Sequence, residues 1–174
     1  GGGHKGFLAE DILNYLQNMN PLLFSKMSYH IIEQHRTGLA QLNAQGEFSV
    51  DWDHATAMKP IEYGVFLSNE LFDAFPRHRV IKQGKELLEI YITLNNEEDF
   101  IELLDEPSTP LLKDYFTALD IDLPERCQAE IDLEGPSFMQ RIALAIRTGF
   151  TMTIDYGFDA ANLYSERMRQ GTLL

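Results

Sequence analysis

The chain has 174 residues, so one domain is the default, and that length can bury about two-thirds of the unfolded surface. With 44% hydrophobic and 11% aromatic residues it is not a disordered polymer. Fourteen Lys and Arg against 27 Asp and Glu give a net charge of −13, which argues against nucleic acid as a partner and favours a basic protein segment. The single Cys127 excludes a disulfide framework and a cysteine zinc site, and fits a reducing compartment. No apolar run approaches the ~20 residues of a membrane span, and no signal peptide is visible. The sequence opens directly on Gly1-Gly2-Gly3 and stops at Gly171-Thr172-Leu173-Leu174 as a new apolar run begins. That pattern predicts a fragment of a longer protein.

Gly1, Gly3 and Gly6 spell G-x-G-x-x-G and run into an amphipathic segment. Leu8, Ile12, Tyr15, Leu16 and Met19 recur at helical spacing and predict a helix over 7–19. A glycine loop entering a helix lets backbone N–H groups approach a ligand closely. Tyr29-His30-Ile31-Ile32-Glu33 reads as a short strand ending in an acid, and such a carboxylate can accept from both ribose hydroxyls of a nucleoside. Asn20-Pro21-Leu22-Leu23-Phe24 accounts for the long spacing from the glycines. Leu39 and Leu42 mark a second helix ending near Gly46, and Phe48-Ser49-Val50-Asp51-Trp52 a further strand.

The stretch Gly64–Pro76 organises the rest. Val65-Phe66-Leu67 has the pattern of a fully buried parallel strand, and Ser68, Asn69 and Glu70 follow at its carboxyl end, where open α/β sheets bind ligands. Leu71, Phe72 and Phe75, closed by Pro76, predict one helical turn that puts Glu70 and Asp73 on a common face. From Arg77 the period becomes two: Val80-Ile81-Lys82 and Leu88–Ile92 flank Gln83-Gly84-Lys85 and predict a hairpin. Ser108-Thr109-Pro110 starts a helix with Leu111, Leu112, Tyr115, Phe116 and Leu119 on its apolar side. Ala129–Leu133 is another strand. Gly135-Pro136 starts a helix through Phe138, Ile142, Ala145 and Ile146, with Gly149 as its stop. Phe150–Ile154 is the last core strand and delivers Asp155-Tyr156-Gly157 to the same edge as Asn69 and Glu70.

The five histidines lack metal-ligand spacing and no serine sits in a nucleophile elbow. What remains is a nucleoside-cofactor site beside carboxylates and an amide, groups that can orient a nucleophilic nitrogen and accept its proton, or hold a guanidinium in a fork.

The glycine loop with Leu8–Leu13, then Ile32-Glu33, Ser68–Pro76, Ile154-Asp155-Tyr156-Gly157 and Gly171-Thr172-Leu173, occur in the order seen in the MidA family, also called DUF185, and the chain resembles that family over its whole length. The resemblance implies an α/β fold, a class I methyltransferase (Rossmann-like) sheet with an inserted antiparallel hairpin and helical cap over 77–148. It implies S-adenosylmethionine as cofactor, with Gly1, Gly2, Gly3 and Gly6 along its methionine part and Glu33 on its ribose. Asn69, Glu70 and Asp73 would face the acceptor, a protein arginine in a respiratory complex I subunit. The implied location is the cytoplasm in a bacterium and the mitochondrion in a eukaryote. A non-catalytic assembly factor with the same fold, and an NAD-dependent oxidoreductase suggested by the literal G-x-G-x-x-G, are the competing readings.

Overall fold

The structure, a computed structural model, describes residues 7–32 and 60–173. Helix α1 is Phe7–Met19, as its periodicity predicts, with Ala9 and Leu13 buried. Helix α2, Pro21–Phe24, is capped by Asn20, whose side-chain oxygen accepts from the Leu23 amide at 3.0 Å. Residues 29–32 are irregular, although Ile31 is buried. The remainder of that predicted strand, the helix at Leu39 and Leu42, the strand at Phe48–Trp52 and the glycine loop lie outside the described residues.

The chain divides into two compact units. Residues up to 74 and 138–155 form the first, whose sheet is a parallel pair: β1, Ile61–Asn69, with β6, Ile146–Ile154. The register runs from Ile61 opposite Ile146 to Asn69 opposite Ile154, so both carboxyl ends lie on one edge. Both strands start earlier than their sequence patterns suggest. Gly149 accordingly does not stop the preceding helix α4, Glu134–Ala145, but lies within β6 opposite Gly64. The reason is steric, since a Cβ on Gly149 would stand 1.8 Å from the Gly64 carbonyl oxygen.

The expectation of a fully buried β1 is corrected as well. Val65 is 68% exposed and Tyr63 76%, whereas Ser68 is buried. Helix α4 covers the other face, where the Phe138 ring meets Phe66 and Phe72 edge-on at 5.9 and 6.1 Å. A parallel strand becomes apolar and buried on both sides only when both faces are covered. Among the described residues β1 pairs with β6 alone.

Residues 75–137 and 156–173 make the second unit. Its sheet is antiparallel throughout, in the order β4-β3-β2-β5, with β2 His78–Gln83, β3 Glu86–Leu94, β4 Phe100–Asp105 and β5 Gln128–Ile131. The predicted hairpin is β2–β3, turning at Gly84 with φ +60°, a left-handed conformation that glycine adopts freely. Strand β4 extends that hairpin. Helix α3 is Leu111–Ala118; Thr109 Oγ1 accepts the Leu111 amide at 3.3 Å. Leu112 and Phe116 pack with Val80, Leu123, Ala129 and Ile131 into the unit's core.

Tyr164, following the short helix α5 Ala160–Leu163, completes that core from the other chain segment. Its hydroxyl lies 3.0 Å from that of Tyr115, and burial, then this neighbour, push its pKa upward. Beyond it the chain runs along β5: the Gln128 amide donates to the Arg169 carbonyl at 2.9 Å, and the Glu130 carboxylate accepts the Thr172 amide and hydroxyl, each at 3.0 Å.

Candidate active site

The parallel pairing of β1 and β6 fixes where the polar residues fall. At its end the Ser68 hydroxyl donates to Thr153 Oγ1 at 3.2 Å, and the Glu70 amide donates to the Ile154 carbonyl at 2.9 Å, carrying the strand contact one residue past β1. The chain then breaks direction at Glu70, whose φ is +45°. No helical turn starts there, contrary to the expectation from Leu71, Phe72 and Phe75: a residue held by the neighbouring strand in a left-handed conformation cannot open a right-handed helix. The shared face expected of Glu70 and Asp73 from helical spacing is therefore lost with it.

The bend is fastened from across the sheet. Asp155, the first residue after β6, accepts the Phe72 amide through Oδ2 at 3.1 Å. Leu71 is buried beneath the bend, while Asn69 and Glu70 are exposed and Asp73 is half-buried. Asn69, Glu70, Asp73 and Asp155 thus belong to two neighbouring strand ends or the bend between them. The sequence placed Asp155 on this edge, but its use as a loop anchor was not evident, because the Phe72 amide that it satisfies is 83 residues away in the chain.

Gly1, Gly2, Gly3, Gly6 and Glu33, the residues read as cofactor-binding, lie outside the described residues. Within the described ones, the strand ends and the bend carry the carboxylates of Glu70, Asp73 and Asp155, hydrogen-bond acceptors whose charge suits the positive sulfonium of S-adenosylmethionine.

A second polar cluster escaped the sequence reading. In the second unit Glu89, on β3, is buried; His78 Nδ1 lies 2.7 Å from its Oε1, while its Oε2 accepts the Tyr91 hydroxyl at 2.9 Å and the Ser108 amide at 2.6 Å. Burial raises the Glu89 pKa, but these hydrogen bonds outweigh it and hold the carboxyl at about 2. The available signal was an acid at an inward position of an otherwise apolar strand, Leu87-Leu88-Glu89-Ile90.

The chain has an α/β fold whose parallel strands end in Asn69-Glu70 and Asp155, and solved structures share that fold. A Burkholderia thailandensis protein crystallised with S-adenosyl-homocysteine superposes with a TM-score of 0.76 at 21% identity, over 98% of this chain and 44% of its own. A native structure from the same organism gives the same TM-score and identity over 46% of its length. All 174 residues match the family model described as "Putative S-adenosyl-L-methionine-dependent methyltransferase", and the chain belongs to that family, as its MidA-like motifs indicate. The family's cofactor is S-adenosylmethionine.

A curated relative, the "Protein arginine methyltransferase NDUFAF7 homolog, mitochondrial" of Caenorhabditis elegans, is 29% identical over 111 residues, 62% of this chain. The chain spans 26% of that relative's length. No helix among the described residues is long and apolar enough to cross a membrane.

Proposed function

We propose that the protein of which this chain is part transfers a methyl group from S-adenosylmethionine to an arginine of a protein substrate. The observation that carries the reading is the common edge reached by Asn69-Glu70 and Asp155 at the ends of two parallel strands. The cofactor, when bound, supplies an electrophilic methyl on its sulfonium. The chain's part is to hold the acceptor nitrogen in line and to take up the proton that the nitrogen loses. Glu70, exposed at the strand end, is the candidate proton acceptor; Asn69 beside it and Asp73 in the bend that follows are the candidates to orient the guanidinium. Gly1, Gly2, Gly3, Gly6 and Glu33 are assigned to cofactor binding on the resemblance to the MidA family.

The arginine specificity, and a mitochondrial location if the host is eukaryotic, are carried from the Caenorhabditis elegans relative; a respiratory complex I subunit as the substrate is what the resemblance to the MidA family implies. The segment 77–148, read from the sequence as a substrate cap, supplies the antiparallel sheet of the second unit, whose core Tyr164 completes from outside that segment, while its residues 138–148 belong to the first unit. Incubation of the full-length protein with radiolabelled S-adenosylmethionine and host lysate, followed by mapping of the labelled residue, tests this reading. Label on arginine supports it; cofactor binding with no label on any protein favours a non-catalytic assembly factor.

A further inference from the structure

We propose that β4 is a docking edge, which an extended basic segment of a partner protein joins as an added strand. The second unit's sheet has two edges, and the chain treats them differently. Along β5 its own segment supplies backbone and side-chain partners, through Arg169 and Thr172. Along β4 every residue from Phe100 to Asp105 is exposed. Phe100 is 80% exposed, and Ile101, Leu103 and Leu104 are exposed as well, so apolar surface accompanies the open edge.

Proteins usually blunt such an edge with charged side chains, above all Lys, with Pro or with bulges; Phe100–Asp105 has no Lys, Pro or Gly, and the charges it carries are the carboxylates of Glu102 and Asp105. An open edge with apolar side chains is the surface that strand addition uses, the backbone giving affinity and the alternate side chains specificity.

Charge selects the occupant. Between Lys85 and Lys113 the sequence has no Lys or Arg. Glu102 is paired with Arg79 at 2.6 Å, but Glu97, Glu98, Asp99, Asp105 and Glu106 form no ion pair among the described residues. A second copy would bring another chain of net charge −13 against this one, with no cation on β4 to offset it. A segment alternating basic and apolar residues meets both the carboxylates and the exposed side chains.

The test uses the full-length protein and a blocked peptide of about ten residues alternating arginine and valine, a length that spans β4. Fluorescence anisotropy should show binding that weakens about tenfold or more between about 50 and about 500 mM NaCl. Amide hydrogen exchange at Phe100–Asp105 should slow on binding. A glutamate–valine peptide should not bind, and backbone N-methylation of the basic peptide should abolish binding by removing its strand donors. Leu103→Lys, with native circular dichroism, should weaken the basic peptide about tenfold through like charge. S-adenosylmethionine binding, measured without peptide, reports separately on the methyltransferase reading. Equal binding of both peptides, unchanged exchange at β4, or protection in the free protein of the β4 amides that face away from β3, whether by another segment or by a second copy, would each overturn the proposal.

Discussion

Gly149→Ala probes the close approach on which the two strand ends depend. Gly149 and Gly64 are opposite each other in the β1–β6 register, and an added Cβ would sit 1.8 Å from the Gly64 oxygen, 2.9 Å from its carbonyl carbon and 3.1 Å from Ile146 Cγ2. The nearest atom is backbone, so no side-chain rotation relieves the clash. Reaching an ordinary contact of about 3.4 Å requires the strands to part locally by well over 1 Å, which breaks a ladder hydrogen bond at about 1 kcal/mol in addition to overpacking strain of about 1–3 kcal/mol. The expected loss is about 3 kcal/mol, read from the urea midpoint of the full-length protein. Gly64→Ala is the control: its Cβ first meets Ile61 Cγ2 at 3.0 Å, the end of a side chain that can turn away, so it should cost less than half as much. Wild-type stability in Gly149→Ala, or a larger loss in Gly64→Ala, would refute the close-approach reasoning.

Three further outcomes are expected. Glu70→Gln should leave stability unchanged and lower the labelling rate on the order of 10²-fold if Glu70 takes up the proton; full activity would remove it from that role. Asp155→Ala should cost about 1–2 kcal/mol by removing the carboxylate that accepts the Phe72 amide, and Asp155→Asn, which keeps an acceptor, should restore most of the melting temperature; equal losses in both would show that the hydrogen bond is not what matters. Glu89 has its folded pKa depressed from 4.5 to about 2, so its contribution is fully present above pH 4.5 and is lost as pH falls through 2. That gap corresponds to about 3 kcal/mol at most, and Glu89→Gln should flatten the acid limb of stability measured between those two pH values.

Elements with a long, unambiguous period were legible in the sequence. Helix α1 spans the predicted residues, and the hairpin turns at the predicted glycine. Strand β4 was not legible, because Phe100-Ile101-Glu102-Leu103-Leu104-Asp105 does not alternate cleanly and carries a single β-branched residue, Ile101; it is held by pairing with β3. Gly149 misled for a different reason: glycine after a helix reads as a stop, yet the same residue also serves where two backbones nearly touch. At the candidate site the polar residues and their common edge were readable from strand order. The left-handed turn at Glu70 was not, since glutamate carries no local signal for positive φ.

Tyr164 closing the core of the second unit also sets a timetable for synthesis. Tyr115 and Phe116 meet Tyr164 across a separation of 49 residues for the tyrosine pair, and in the first unit Ser68 awaits Thr153, 85 residues later. At about 5–20 residues per second on the ribosome, β1 remains without β6 for roughly 4–17 s. Neither unit can close from a continuous stretch of nascent chain, so the apolar strand Ile61–Asn69 emerges long before its partner and is the segment most in need of protection during translation.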